Sequence, residues 1–384
     1  MTAFVYSAFA QTVHFGAGML DQLPAALDAL GWRYVGLVTT NSARRSGRAA
    51  QVEDLLGKRF DFVFDAAQPH VPAGQVEEVI GLAEAHFTDG LLALGGGSAI
   101  GLAKAASLGL TAQVSGPPVR AAAASRGPRV PIAAIPTTYA GSEMTAVVGV
   151  TEPDGAGGTR KVTRSDPGIV PRLVIYDPAL TLDLPPEVTA ASGINALAHC
   201  VEAVYSTTRN PLSTAAALAG AGHIARALPA CHALGHDLPA RTDILLGAHL
   251  AGAALATVNM GLHHGLCHVL GGAAGVPHGV ANAIMLPHAM RYNLNVVTPE
   301  LAQIGRTMSA ASPGADDMGA ATAAIEAVYQ LVAGLGLPQR LRDADVPRAS
   351  LPRLAALAAQ SGAVRANPKP VSAADAERIF EEAW

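Results

Sequence analysis

The feature that most constrains the fold is an alternation of short apolar runs with helix-like stretches over residues 1–180. Each run is apolar and bounded by turn or polar residues, which is typical of a buried strand. Strand–helix–strand alternation predicts a parallel, doubly wound sheet, and such sheets bind ligands outside the carboxyl ends of their strands. The predicted strands are 35–40, 61–65, 90–94, 131–135 and 172–177, with the clearest helices at 73–87 and 98–110.

The pattern changes after residue 180, where long Ala- and Leu-rich helical stretches replace the strands. The length of 384 residues and three prolines between residues 177 and 187 favour two domains, an α/β domain at 1–180 and an all-helical domain at 181–384. The Pro- and Gly-containing stretch 114–129 is predicted to be a flexible surface excursion. The predicted helices of the second domain are 187–206, 211–228, 241–258, 264–274, 298–312, 317–335 and 349–360.

Composition excludes several classes of protein. Half of the residues are hydrophobic and 15% are charged, which is unlike a disordered chain. A net charge of −4 gives no reason to expect a nucleic-acid partner. We expect no membrane span, since no run of about 18 apolar residues is uninterrupted, and no signal peptide, since the first residues lack a basic region. Three cysteines are too few for a disulfide scaffold and favour a cytoplasmic location.

A glycine-rich turn follows the predicted strand 90–94 and precedes a helix. Gly95, Gly96 and Gly97 remove side chains where backbone N–H groups must approach an anion, and Ser98 can cap the helix or donate to a phosphate. A nucleotide pyrophosphate is the expected ligand; the alternative is a tight turn without a ligand. The sequence is not the usual G-x-G-x-x-G pattern.

A second hydroxyl-rich loop follows another predicted strand. Thr137, Thr138 and Ser142 offer hydroxyl groups, and Gly141 permits a close approach. Two such loops at neighbouring strand ends favour a nucleotide crevice, although a capping box formed by Ser142 is the alternative.

The strand at 35–40 ends with Thr40 and Asn41, where an acidic residue would hold an adenosine ribose and repel a 2′-phosphate. No acid is present at these positions. The arginines that follow could accept a 2′-phosphate, or they could form a solvated basic helix start. They are Arg44, Arg45 and Arg48.

Histidines recur at helical spacing in the second domain. Asn195 and His199 lie four residues apart, with Glu202 on the same side of the predicted helix. Polar groups inside an apolar helix are costly unless they are used or paired. Histidine pairs at this spacing commonly bind metals, and the alternative is hydrogen bonding across helices. The other histidines of this group are His264, His268, His278 and His288.

The motifs GGGSAIGLAKA, PTTYAGSEMT, DPALT, GINALAHCVEA, HHGLCHVLGG and PHGVANAIMLPH occur in the order seen in the iron-containing alcohol dehydrogenase superfamily. Within it the sequence most resembles the maleylacetate reductases. The pointers are Tyr139, where alcohol dehydrogenases usually have a longer Gly-containing loop, Asn195, and the tail segment 367–371. The resemblance covers nearly the whole chain.

The resemblance implies a Rossmann-like dinucleotide-binding N-terminal domain, a helical C-terminal domain, and an active site in the cleft between them. It implies NADH or NADPH as the cofactor, a small dicarboxylate as the substrate, and a homodimer as the assembly. The implied reaction is reduction of the conjugated C=C bond of maleylacetate to 3-oxoadipate in bacterial catabolism of aromatic compounds.

Metal-dependent relatives bind Fe²⁺ or Zn²⁺ through one aspartate and three histidines, and the matching positions here are Asn195, His199, His264 and His278. A neutral amide is a much poorer ligand for these cations than a carboxylate. The resemblance therefore implies an enzyme without a metal, whose histidines are available to the substrate.

We expect His199, His264 and His278 to contact the developing oxyanion or the carboxylates, and His268 to relay a proton. The residues expected to bind substrate are Tyr139, Asn195 and Lys161.

Three alternatives remain on the sequence alone. One is a metal-dependent alcohol dehydrogenase on the same scaffold, and another is a lyase similar to dehydroquinate synthase. The third, a binding protein without catalysis, gives no reason for four matched polar positions in the second domain.

Overall fold

The computed structural model describes residues 3–113, 130–153 and 158–384, so the predicted excursion at 114–129 lies outside the described residues. The chain forms two compact units. The sheet unit comprises Ala8–Thr138 and Ser142–Leu182. The helical unit comprises Asp183–Trp384 with Tyr139–Gly141 and the N-terminal residues up to Ser7.

The sheet unit is built on a six-stranded sheet in the order β1-β8-β5-β4-β2-β3, and every neighbouring pair is parallel. This arrangement confirms the parallel sheet that the alternating pattern predicts. The strands are Thr12–Phe15 (β1), Val35–Val38 (β2), Phe60–Phe64 (β3), Gly90–Gly95 (β4), Ile132–Pro136 (β5) and Leu173–Tyr176 (β8).

The central strands are apolar throughout because parallel strands are covered on both faces. All residues of β2, β4, β5 and β8 are buried. Their side chains form a core with those of the connecting helices, among them Leu27, Val52 and Leu94. The helices of this unit are Leu23–Leu30 (α1), Asn41–Arg45 (α2), Arg48–Leu56 (α3), Ala73–Ala85 (α4) and Gly97–Gln113 (α5).

Three strands are absent from the sequence prediction. β1 is an edge strand with partly exposed polar residues, so it lacks the apolar run of a central strand. β6 (Val147–Pro153) and β7 (Thr159–Ser165) form a separate antiparallel pair in which Thr, Arg, Lys and Glu interrupt the valines. Neither strand is a continuous apolar run, which is why they were not predicted.

The helical unit has no strand among its described residues, as predicted. The bounds of several helices differ from their predictions. The helix that begins at Pro211 continues through Pro229 to Ala233 instead of ending at 228, and the helix that begins at Thr298 ends at Thr307 instead of 312. The helices at 278–293, 362–365 and 373–383 were not predicted. The helices are Pro186–Tyr205 (α6), Pro211–Ala233 (α7), Leu238–Leu255 (α8), Leu262–Ala274 (α9), His278–Asn293 (α10), Thr298–Thr307 (α11), Asp317–Gly334 (α12), Leu351–Ala359 (α13), Gly362–Arg365 (α14) and Ala373–Ala383 (α15).

None of the helices in the described part of the chain combines the length and apolar character needed to span a membrane.

Candidate active site

The glycine-rich turn after β4 leaves no room for a side chain. Gly95 has a φ of +145°, and a Cβ placed on Gly96 would lie 2.7 Å from Oγ1 of Thr138. The first backbone N–H groups of α5 have no partner within the helix, so the turn forms a cradle suited to a phosphate. The structure brings together here the residues predicted for the cofactor phosphates: Gly95, Gly96, Gly97, Ser98, Thr137 and Thr138.

Thr40 borders the same cradle at the carboxyl end of β2. Its Cγ2 lies 3.8 Å from the position of a Cβ on Gly95. Its Oγ1 accepts the backbone N–H of Ala43 at 3.3 Å and so caps α2, whose first residue, Asn41, is exposed. These residues fit a dinucleotide, because the phosphate cradle lies beside the carboxyl end of β2, where the adenosine ribose of a dinucleotide would be placed.

Arg44 lies in contact with two acidic side chains. Its Nη1 lies 2.7 Å from Oε1 of Glu53, and its Nε donates to Oδ2 of Asp65 at 2.9 Å. The hydrogen bond to Asp65 raises the pKa of the guanidinium. Arg44 is thus paired with two carboxylates, and its contact with a 2′-phosphate stays a prediction.

The loop after β5 is held by a lysine for which no role was predicted. Lys104 is fully buried, and its Nζ donates to the carbonyl oxygens of Ser142, Thr145 and Val147 and to Oγ1 of Thr145. Burial lowers the pKa of Lys104 to about 7, and the nearby Glu143 carboxyl acts in the opposite direction. Lys104 thus fixes Ser142, the predicted cofactor residue of this loop.

In the helical unit, Tyr139 is fully buried, and its hydroxyl accepts from the guanidinium of Arg241 at 2.9 Å. Arg241 is also fully buried, and it donates to Oγ1 of Thr189 and to the carbonyls of Leu184 and Gly235. Tyr139 therefore anchors the segment 139–141. Its predicted contact with the substrate stays a prediction.

Asn195 has both ends of its amide engaged. Its Nδ2 donates to the carbonyl of Ala140 at 3.4 Å, and its Oδ1 accepts from Nδ2 of Asn282 at 3.0 Å. Asn282 donates as well to the carbonyl of His278 at 2.8 Å. A buried network thus holds α6, α10 and the segment anchored by Tyr139 together.

The four histidines of the predicted site lie side by side. The rings of His199 and His264 stack with centroids 4.9 Å apart, and those of His268 and His278 stack at 5.9 Å. The His264 centroid lies 6.4 Å from that of His278 and 6.3 Å from that of His268. The individual roles of these rings stay predictions, whereas the structure does bring together the four histidines to which the helical spacing and the family resemblance pointed.

Glu202 supports this cluster from behind. Its Oε2 lies 2.6 Å from Nδ1 of His264, and its two oxygens accept the backbone N–H groups of His263 and His264. His263 in turn contacts the carbonyl of Asn282 through Nε2 at 3.2 Å. Nδ1 of His264 is thus engaged, whereas its buried Nε2 has no hydrogen-bond partner. The buried Nδ1 of His199 has none either.

Burial dominates the protonation of these groups. Burial, together with the neighbouring His268, lowers the pKa of His264 to about 3. Burial likewise places the pKa of His199 well below its ordinary value and raises the pKa of the Glu202 carboxyl. His199 and His264 are therefore neutral near pH 7.

Lys161, predicted to bind substrate, lies on β7 in the sheet unit and is exposed. No histidine of the predicted site belongs to that unit. Its role stays a prediction.

Two family descriptions match nearly all of the chain. "Iron-containing alcohol dehydrogenase" matches residues 10–178, and "Fe-containing alcohol dehydrogenase family, C-terminal" matches residues 189–384. The chain belongs to the iron-containing alcohol dehydrogenase family.

Within this family the chain is similar to maleylacetate reductases. It is 37% identical to a maleylacetate reductase of Burkholderia cepacia over 100% of this chain and 97% of the relative. It superposes on the crystal structure of maleylacetate reductase from Agrobacterium tumefaciens with a TM-score of 0.86 at 32% identity, covering 100% and 99% of the two chains. The alcohol dehydrogenase from Oenococcus oeni gives a TM-score of 0.91 at 28% identity, covering 100% of both chains. Backbone shape alone therefore does not separate the two activities.

The family name implies iron, but the four matching positions do not fit the set of one carboxylate and three histidines. Asn195 brings no charge, and its oxygen already accepts from Asn282. Among the described residues, the group whose ligand atoms all lie within 4.8 Å of one another is Glu202, His263 and His264, without His199 or His278. A metal there would displace the hydrogen bonds that Glu202 accepts. Metal independence remains a prediction.

Proposed function

We propose that the chain reduces the conjugated C=C bond of maleylacetate to give 3-oxoadipate, with NADH or NADPH as the reductant and without a metal. Full-length similarity to maleylacetate reductases supports the substrate. The observation that carries the proposal is Asn195, a neutral amide held by Asn282 and Ala140 where metal-dependent relatives place a charged ligand.

The reaction needs one hydride and one proton. When bound, the reduced nicotinamide supplies the hydride that adds to the C=C carbon distal to the ketone. The electron pair of the double bond then moves onto the ketone oxygen to form an enolate, and a proton added to carbon completes the reduction. The site must therefore stabilise an oxyanion and deliver one proton.

His264 is suited to the oxyanion because Nε2 is its unpartnered atom. When Glu202 is protonated and donates to Nδ1, Nε2 carries a hydrogen and can donate to the enolate oxygen. Burial favours the neutral Glu202 that this arrangement needs, since it raises the pKa of the carboxyl. Neutral donors in a buried site stabilise an enolate without a metal.

The remaining histidines complete the proposed chemistry. His199, stacked on His264, supplies a second contact to the oxyanion or to a carboxylate. His268 and His278 form the other stacked pair, and His268 relays the proton. Tyr139 anchors the Ala140 carbonyl that orients Asn195, and Lys161 is proposed to contact a substrate carboxylate.

We also propose the setting in which the enzyme acts. Three cysteines without disulfides fit a reducing cytoplasm. A ring-cleavage pathway of bacterial aromatic catabolism would supply the substrate, and a homodimer is the proposed assembly.

A metal-dependent alcohol dehydrogenase is the second candidate, favoured by the close superposition on the Oenococcus oeni enzyme. The deciding experiment compares maleylacetate with a panel of simple alcohols and aldehydes, with the product identified as 3-oxoadipate. NAD(P)H oxidation with maleylacetate and negligible turnover of the panel is the expected result. Alcohol oxidation without maleylacetate turnover would overturn the proposal.

A further inference from the structure

We propose that Asp65, together with Glu53 and through their shared partner Arg44, makes the chain select NADH over NADPH. The inference rests on the proposed use of a nicotinamide cofactor and deepens it by naming the residues that set the preference. The sequence suggested the opposite outcome, because Thr40 carries no carboxylate and three arginines follow it.

Asp65 lies beside the strand end that borders the phosphate cradle. β3 pairs with β2 so that Phe64 lies opposite Val38, and the N–H of Thr39 donates to the carbonyl of Phe64 at 2.8 Å. The carbonyl of Thr39 accepts from the N–H of Ala67 at 3.1 Å. These bonds fix Asp65 next to the carboxyl end of β2.

The same strand end reaches the cradle through Thr40, which lies against Gly95. In open α/β sheets the adenosine ribose lies at the strand next to the glycine-rich turn, and an acidic group there accepts the ribose hydroxyls. Here β2 neighbours β4, so the ribose belongs at the end of β2. The carboxylate is supplied by Asp65 at the end of the adjacent strand β3 and not by a residue of β2.

Within the cluster formed by Arg44, Asp65 and Glu53, the side-chain charges sum to a net negative value. Arg44 contributes one positive charge, and Asp65 and Glu53 contribute two negative charges. All three side chains are partly accessible, with 33%, 41% and 23% of their surfaces exposed. A ligand at the end of β2 therefore meets a paired arginine and an excess of carboxylate.

A 2′-phosphate carries most of two negative charges near pH 7. It is repelled by this excess, and Arg44 attracts it less because its positive charge is already paired with two carboxylates. Ribose hydroxyls, in contrast, donate to a carboxylate at no electrostatic cost. The arrangement therefore favours the cofactor without the phosphate.

A purely structural role for the ion pairs makes a different prediction. If Asp65 served only to tie α2 to the end of β3, its loss would weaken all adenine nucleotides equally. The ratio of the affinities for an adenine nucleotide with and without the 2′-phosphate separates the electrostatic role from the structural one, because a general weakening of the site lowers both affinities equally.

The test measures binding of ADP and of 2′-phosphoadenosine 5′-diphosphate by isothermal titration calorimetry, so that no turnover is involved. Asp65→Asn removes one negative charge at the site. Asp28→Asn is the control, because it removes the same charge from an ion pair with Arg59. Arg59 directly precedes β3 and therefore lies at the amino end of that strand, away from Asp65. Arg45→Ala measures the contribution of an exposed arginine on the same short helix.

The wild-type chain should bind ADP more tightly than its 2′-phosphorylated form. Asp65→Asn should narrow the ratio of the two affinities about tenfold, because the 2′-phosphorylated ligand binds better and ADP loses a carboxylate acceptor for its ribose hydroxyls. The ratio in Asp28→Asn should stay at the wild-type value. The effect should shrink at high salt, because the groups are partly exposed.

An unchanged ratio in Asp65→Asn would overturn the proposal, as would equal weakening of both ligands or a preference of the wild-type chain for the 2′-phosphate. A larger effect from Arg45→Ala than from Asp65→Asn would also contradict it. Failure of maleylacetate turnover would overturn the proposed function alone, because neither ligand in this test reacts.

Discussion

Oε2 of Glu202 lies 2.6 Å from Nδ1 of His264, with both side chains almost completely buried. This contact fixes the ring and leaves Nε2 of His264 as its unpartnered atom. Glu202 in its protonated form donates to Nδ1 and so leaves the hydrogen of the neutral ring on Nε2, which can then donate. The pair therefore makes His264 the strongest candidate for contact with the enolate oxygen.

Replacing His264 with alanine should lower kcat/KM for maleylacetate by an amount equivalent to about 2–4 kcal/mol, the cost of losing one oxyanion donor. NADH affinity should be preserved, since the phosphate cradle lies in the other unit. Steady-state kinetics and NADH fluorescence titration check the two parts. His223→Ala, whose ring contacts Asp243, serves as the control. Full activity in His264→Ala would remove it from the mechanism.

Asn195→Asp should restore the ligand charge and raise the affinity for Zn²⁺, because His199 follows four residues later on the same helix and stacks on His264. Maleylacetate reduction should fall as the metal competes for those rings. Zinc titration followed by metal analysis measures the first effect. The control is Asn293→Asp, which buries the same charge in a different amide pair, with Asn367. Equal zinc affinity in the two variants would contradict this prediction.

The fold of the sheet unit could be predicted to a large extent because its central strands are apolar throughout. The five strands predicted from apolar runs all form, whereas the edge strand β1 and the β6–β7 pair were missed. In α7, Pro229 did not end the helix, since packing of the surrounding helix overrides the local cost of a proline.

The residues of the candidate site that lie at helical spacing or within family motifs could be predicted from the sequence. The residues that reach the site through long-range contacts could not. Helical spacing put His264 and His268 on one face of a helix, and the family resemblance joined His199 and His278 to them. The partner of His264 lies 62 residues away, and Asn282 reaches Asn195 across 87 residues. No local pattern encodes such contacts. Lys104 did leave a signal, a lysine within an apolar helix, because buried lysines occur almost only with polar partners.

Lys104→Met should destabilise the chain by about 3–5 kcal/mol, because it leaves the buried carbonyl oxygens of Ser142 and Thr145 without their donor. Urea unfolding followed by circular dichroism measures the change. Lys58→Met, at an exposed position, should change stability by less than about 0.5 kcal/mol. Similar losses in the two variants would show that the cluster around Lys104 contributes little.

Stability should fall as the pH drops from 7 to 5, in part because of His263. Burial lowers its pKa to about 3 in the folded chain, whereas the unfolded chain takes up a proton near the ordinary value of 6.5. The unfolded state therefore binds more protons below that value, and acid favours unfolding. His263→Gln should reduce the stability lost between pH 7 and pH 5 by about 2 kcal/mol, as measured by urea unfolding. An unchanged loss would contradict the neutral, buried state of His263.

The most direct test of metal-independent maleylacetate reduction follows NADH absorbance in one preparation before and after exhaustive chelation, with metal content measured in parallel. We expect less than one equivalent of iron and zinc per chain and a rate of NADH oxidation that chelation leaves unchanged. Loss of activity in chelator, with recovery on adding one equivalent of Fe²⁺ or Zn²⁺, would contradict it. Asn195 would then be a working ligand, and the metal-dependent mechanism of the family would apply to this chain.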